Sequence, residues 1–210
     1  LGSLINQKPT FLIPVYYECP MLCSLVLNGF LKTIQRFSLK LGVDFDVITY
    51  SFDPLESHDL ARKKKKTYLS KYGKKDADSA WHFLTGSQES IDRLNRAIGF
   101  ETNYDPETRR YAHAAAVLLL TEDGTISRYF AGIEFNPRDF RLGIVEASKG
   151  AVGNAIDFVM LLCFHYDPAA GKYGFVITRI IRVAGTLTAI AIFSFIFTNL
   201  RSKNTKTHIS

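Results

Sequence analysis

The sequence predicts an α/β domain followed by a single apolar helix. Strands and amphipathic helices alternate from Phe11 to Ile98, and two further apolar strands joined by a tight turn lead into a closing helix. Near the C-terminus, residues 183–200 carry no charge and are bracketed by arginines. The chain has 210 residues, a net charge of +6, 47% hydrophobic residues and three cysteines. This composition excludes a disordered tail, a collagen-like fibre and a disulfide-stapled miniprotein. It supplies one sizeable core plus an appendage.

Phe11 to Tyr17 reads as a strand, with Cys19-Pro20 at its turn into a helix and Pro20 suited to the first helical position. Leu22, Leu25, Val26, Phe30, Ile34 and Phe37 recur at helical spacing, with Gly42 near the end. A second strand, Phe45 to Phe52, ends at Asp53-Pro54. Glu56 to Tyr72 is a charged amphipathic helix closed by Gly73, and a short strand at His82 to Leu84 leads to a helix at Gln88 to Ile98, with Ser87 as its N-cap. Ala114 to Leu120 is a continuous apolar strand, and Glu122-Asp123-Gly124 turns it into a second strand, Thr125 to Phe130. Asn136 and Pro137 then cap a last helix that carries Phe140, Ile144 and Val145 to about Ser148.

A β-α-β unit followed by β-β-α is the thioredoxin arrangement; hydrolase and dinucleotide-binding layouts lack their repeats here. The predicted organisation is a thioredoxin-like domain over residues 1–150, a connector over 151–178, a transmembrane helix over 179–201 and a basic tail over 202–210. The chain opens Leu-Gly-Ser without an initiating Met, which reads as a fragment or a processed product.

A helix over residues 183–200 would be about 27 Å long, close to the ~30 Å hydrocarbon core of a bilayer. Arg179 and Arg182 on one side, and Arg201, Lys203 and Lys206 on the other, can snorkel to the two interfaces. The expected environment of this helix is therefore membrane lipid. The basic tail favours a cytoplasmic C-terminus, which puts the main domain outside, on the periplasmic side.

The positive charge does not point to nucleic acid. Half of it sits in the acid-free final ten residues, and the one dense basic run, Arg62 to Lys66, follows Asp59 on what reads as a solvated helix face. No nucleic-acid partner is expected.

Cys19-Pro20-Met21-Leu22-Cys23 is the most informative spacing in the chain. A strand-to-helix turn places both sulfurs at a helix N-terminus, on one face, where unpaired backbone N–H groups and the helix dipole lower thiol pKa values. Such a pair fits two structural thiols, a redox dithiol or a soft-metal pair. His113 comes just before the apolar strand that a thioredoxin-like fold sets beside the first one, so the loop leading into that strand can approach the cysteines. Two sulfurs and an imidazole suit copper better than a hard cation.

These residues carry a resemblance. VYYECPMLC, ITYSFDP and YAHAAAVLLLTEDGTISRYF occur in order, and the stretch from about Thr10 to Ser148 resembles the Sco/SenC family, thioredoxin-like copper proteins that help build the binuclear copper site of cytochrome c oxidase. The resemblance implies thiolate ligands at Cys19 and Cys23, an imidazole ligand at His113, and a supporting acidic residue at Asp53. It implies copper as the bound metal, and as partners the copper-site subunit of the oxidase and a copper donor protein. The chain departs from the family pattern in lacking the N-terminal β-hairpin and in carrying its membrane helix at the C-terminal end.

The function expected is a membrane-anchored copper metallochaperone. The alternative is a thiol-disulfide oxidoreductase in which Cys19 and Cys23 form the redox dithiol and His113 is not a ligand. Other candidate groups read as structural. Cys163-Phe164-His165 closes the apolar patch Ile156 to Phe164 and fits packing near the membrane. His58 starts a helix, His82 lies beside Trp81 on a strand, His208 is in the tail, and Asp105-Pro106-Glu107 is a turn. Phosphate-loop, nucleophile-elbow and zinc-protease motifs are missing from the sequence.

Overall fold

The first strand, β1 (Thr10–Val15), is buried at every position, as an apolar run with a partner on each side must be. In the computed structural model, which describes residues 1–5, 8–36, 38–74, 77–151, 166–167, 172–173, 182 and 185–188, it is the centre of a five-stranded sheet of order β3-β2-β1-β6-β7. Strands β2 (Asp46–Ser51) and β3 (Trp81–Leu84) continue it in parallel; β6 (Ala116–Leu120) and β7 (Ile126–Ala131) lie antiparallel on the other side. This is the thioredoxin-like layout that the sequence predicts.

Residues that pair across strands share a face of the sheet, so Phe11, Val47 and Trp81 form one row. Helices α1 (Leu22–Ile34), α2 (His58–Tyr72) and α4 (Pro137–Ala147) cover that row. Phe11 meets Phe30 of α1 at 5.1 Å and Phe140 of α4 at 4.8 Å, while Trp81 meets Tyr68 of α2 at 6.0 Å. Helix α3 (Gln88–Ala97) covers the opposite face, where Tyr50 donates a hydrogen bond to Asn95 at 2.7 Å.

The predicted caps are in place. Ser87 accepts from the Ser90 amide, Asn136 accepts from the Arg138 amide with Pro137 as first helical residue, and Gly73 ends α2 at φ 71°.

Most boundaries shift by one or two residues from the sequence reading, and four departures bear on the site. Strand β1 stops at Val15, and Tyr16 and Tyr17 already turn. Pro20 is not the first helical residue: the chain bends through Pro20 and Met21, and α1 starts at Leu22. The strand read as starting at Ala114 starts at Ala116. Most consequential, a separate hairpin of β4 (Thr102–Asp105) and β5 (Arg110–His113) precedes it. Its polar, mostly half-buried strands hide from a search for apolar runs, although the Asp105-Pro106-Glu107 turn is where the sequence puts it.

Beyond α4 the structure describes two short strands, β8 (Tyr166–Asp167) and β9 (Lys172–Tyr173), the second in a separate compact unit beginning at Lys172. Residues 156–164, Cys163-Phe164-His165, His208 and all but a few positions of 179–201 lie outside the described residues. Among the described residues, no helix is long and apolar enough to cross a membrane.

Candidate metal centre

The site forms where β1 leaves the sheet. The β1–β6 ladder ends at Leu12, so the C-terminal half of β1 pairs only with β2, and the chain from Tyr16 to Cys23 follows directly on that half. Pro14, which cannot donate to a ladder, lies just past that last β6 partner.

Cys19 precedes α1, and Cys23 is its second residue, so the two sulfurs do not share a regular helical face as the spacing suggests. The bend brings them together by another route: the Cys23 amide donates to Cys19 Sγ at 3.3 Å, and the Tyr16 amide donates to Cys23 Sγ at 3.4 Å.

His113 is the last residue of β5 rather than part of a connecting loop, and it is 2% exposed. Phe52 at 5.0 Å, Tyr16 at 6.1 Å and Phe100 at 6.1 Å surround its ring. Its Nδ1 lies 2.8 Å from the Ala114 carbonyl oxygen, which can only accept, so Nδ1 carries the proton. Nε2 faces the cysteines, 3.4 Å from Cys23 Sγ.

Cys19, Cys23 and His113 thus present two sulfurs and a ring nitrogen within 4.8 Å of one another. Copper suits the donor set, because soft sulfur with imidazole favours it over hard cations. The backbone bond to Nδ1 orients the ring as second-layer partners of metal-binding histidines do.

The two thiols differ in charge. A hydrogen bond from Cys23 pulls the Cys19 thiol down to about 3 against the opposing effect of burial, with His113 and the Cys23 amide adding to the pull. Burial pushes Cys23 well up, helped by its hydrogen bond to Cys19 and the charge there. Tyr16 is also raised, first by burial and then by its hydroxyl's bond to Cys19.

A cleft of about 260 Å³ opens onto Cys19 between Pro20, Met21, Arg110 and Tyr111. Among the described residues, no hydrogen bond joins the Asp53 side chain to a candidate ligand. Its carboxylate accepts from the Leu55 amide at 2.9 Å and hydrogen-bonds Tyr111, which is pushed up to about 12 by burial and by this carboxylate.

The sequence reading overlooked Tyr16, Arg110, Tyr111 and Glu56. The last is 9% exposed and accepts from the amides of Tyr17 and Glu18, both at 2.7 Å, and from the Ser51 hydroxyl at 2.5 Å. An acid just before a helix-capping serine looks in sequence like an ordinary helix start, so no local signal marked it.

Comparisons with known proteins agree with this geometry. Comparison with curated protein sequences gives no match. Among solved structures, the chain is similar to a putative electron transfer protein from Aquifex aeolicus, at 26% identity and a TM-score of 0.59, over 70% of this chain and 82% of that one. It shares its fold with Arabidopsis thaliana ScoI with copper bound, at 18% identity and a TM-score of 0.54, over 71% and 88% of the two chains. It also shares it with BsSco, a member of the Sco family of cytochrome c oxidase assembly proteins in which a disulfide switch was identified, at 21% identity and a TM-score of 0.51, over 69% and 82%. The family model described as SCO1/SenC matches residues 4–146, a span that holds both cysteines, His113 and every strand of the main sheet, and the chain therefore belongs to the SCO1/SenC family.

Proposed function

We propose that this chain is a copper metallochaperone, anchored to the membrane through residues 179–201, that delivers copper to the binuclear copper site of cytochrome c oxidase during assembly. The observation that carries the reading is the convergence of Cys19, Cys23 and the Nε2 side of the His113 ring within 4.8 Å. Copper bound to a relative of the same fold, and the assembly role of another, support it.

Copper is cargo here. Three ligands, two of them lining an open cleft, leave room for an incoming ligand from a donor protein or from the oxidase subunit, so copper can move by ligand exchange. A closed four-ligand cage would resist such transfer. The main domain lies outside the cytoplasm in this reading, with the basic tail inside and lipid around the apolar helix.

The difference between the two thiols favours a second reading, thiol-disulfide exchange. Cys19, as thiolate, attacks a disulfide sulfur, one partner thiolate leaves, and Cys23 then displaces the second while its proton passes to the leaving sulfur. The protein ends as the Cys19–Cys23 disulfide and the target as one thiol and one thiolate, the thiolate taking its proton from water.

An anaerobic Cu(I) titration of the reduced full chain in mild detergent separates the two. One tightly held copper per chain, weakened at least about tenfold in His113→Ala, supports the chaperone; such losses are usual when the shell of a metal site is damaged. Absence of copper binding in the parent chain, with disulfide exchange intact, supports the oxidoreductase. Extraction of the full chain by alkaline carbonate, with no detergent needed, would refute the anchor.

A further inference from the structure

We propose that Glu56 is a positioning residue that holds the Cys19–Cys23 loop in its metal-ready shape. The inference rests on the copper reading above. The backbone N–H groups from Tyr16 to Cys19 are all committed: Tyr16 to Cys23 Sγ at 3.4 Å, Tyr17 and Glu18 to the two oxygens of Glu56 at 2.7 Å, and Cys19 to the Tyr16 carbonyl at 3.2 Å. Two of the four therefore end on one carboxylate, contributed from 38 to 39 residues away.

A buried carboxylate is expensive to keep, and an apolar side chain would fill the same space at less cost. What Glu56 adds is geometry. A carboxylate accepts at both oxygens, and its bonds to backbone N–H groups are shorter and stronger than neutral ones. The carboxylate is itself fixed: Ser51, the last residue of β2, donates to Oε2 at 2.5 Å, and the Glu56 amide returns to the Asp53 carbonyl at 3.3 Å. One side chain thus ties the segment leading into Cys19 to the end of the neighbouring strand. Its side chain hydrogen-bonds no candidate ligand side chain, and only its charge reaches Cys23.

Removing the tie leaves the two amides without their acceptor and lets the segment sample other shapes, so the ordering of the sulfurs falls on the metal. Changes in the outer layer of metal sites typically weaken binding about 10- to 100-fold. The same is expected here for Glu56→Gln, which keeps the size but offers one oxygen to three donors and aims an N–H₂ group at another donor.

The test compares the reduced full chain with Glu56→Gln in detergent. Cu(I) affinity is measured by competition with a coloured chelator, and the sulfur-to-copper charge-transfer band is recorded after loading with Cu(II). The expected result is a 10- to 100-fold weaker affinity with a shifted band, since a role confined to packing stability would leave the band of the folded fraction in place. Parent affinity together with an unchanged band in Glu56→Gln overturns the proposal. Amide exchange of the metal-free parent decides the matter if the variant does not fold: protection at Tyr17 and Glu18 comparable to that in β1 supports the clamp, and exchange at open-loop rates overturns it. A parent chain that binds no copper refutes the copper reading instead, and the exchange measurement then still decides whether the clamp exists.

Discussion

The backbone N–H of Cys23 points at the sulfur of Cys19 across 3.3 Å, so the first turn of α1 uses one candidate ligand to satisfy the amide of the other. In an ordinary helix a serine or aspartate oxygen would accept in that region. Here a thiolate takes the role, and Tyr16 supplies the matching N–H to Cys23 Sγ. The two sulfurs therefore sit in opposite electrostatic settings while only a few ångströms from each other and from His113.

Alkylation as a function of pH exposes that difference. Cys19, pulled down to about 3, is a thiolate throughout the neutral range, so its rate with iodoacetamide stays nearly flat from about pH 5 to 9 in the reduced, metal-free protein. Cys23 is raised and reacts only as the pH climbs above the ordinary thiol value of about 8.5. The linked stability has opposite signs at the two residues. Cys19 contributes stability that is present above the unfolded thiol value and lost as pH falls toward 3. The contribution of Cys23 is present below the unfolded value and lost as pH rises through its higher folded one. Peptide mapping by mass spectrometry after short exposures assigns each rate, and equal rates at the two cysteines would contradict the asymmetry.

Phe52 controls the third candidate ligand from behind. It is 1% exposed, follows directly on β2, and its ring centroid lies 5.0 Å from that of His113 and 5.4 Å from that of Tyr111. Phe52→Leu removes part of that wall. The expected stability loss is about 1–2 kcal/mol, at the mild end of core truncations. Copper affinity should fall severalfold as well, because the ring loses the contact that holds it over Cys23. Chemical denaturation and chelator competition measure the two effects, and a loss of stability with unchanged affinity would show that Nδ1 and Ala114 alone keep His113 in place.

How far the sequence carried this reading depended on the kind of signal. Phe11, Leu12 and Ile13 and the Leu118–Leu120 run announced buried strands because hydrophobic pattern is a local property. Ser87, Asn136 and Pro137 announced helix starts because capping is local too. The Cys19–Cys23 spacing and the position of His113 identified the candidate ligands. What stayed hidden required distant partners or a departure from regular geometry. The β4–β5 hairpin has polar strands, Met21 adopts φ −146° and ψ −70° and delays the helix, and Glu56 finds its amides only after β1 and β2 pair. Asp53 entered the reading only through the family resemblance, and its bond to Tyr111 depends on that hairpin.

Beneath α2, the indole N–H of Trp81 donates to Thr49 Oγ1 at 3.0 Å, and both residues are fully buried. Thr49→Val keeps the shape and removes the acceptor, leaving a buried donor unpaired. The cost is about 1–3 kcal/mol. Adding Trp81→Phe removes the orphaned donor, so the double variant should lose less than the sum of the two single losses. Urea midpoints for the four proteins of this cycle measure the coupling, and strict additivity would mean that the bond contributes nothing.

Gly29 marks the closest approach between α1 and the segment joining β7 to α4. A Cβ built there would overlap the Ile133 carbonyl oxygen, which is backbone and cannot rotate aside. Thr33 reinforces the contact from one turn further along, donating to the Gly29 carbonyl at 2.8 Å and the Phe135 carbonyl at 3.2 Å. In a free helix Gly→Ala would stabilise by about 1 kcal/mol. Here the overlap outweighs that gain, because forcing atoms into a packed contact costs about 1–3 kcal/mol and the obstacle is main chain. Gly29→Ala should therefore lower the melting temperature, and Gly29→Val, which adds a branched side chain in the same place, should lower it further or prevent folding. Calorimetry decides the sign: a higher melting temperature for Gly29→Ala would mean that the 133–135 segment moves away without cost. Because Cys23 and Gly29 share α1, such a shift would also be read in copper affinity only if the helix, rather than the segment, gave way.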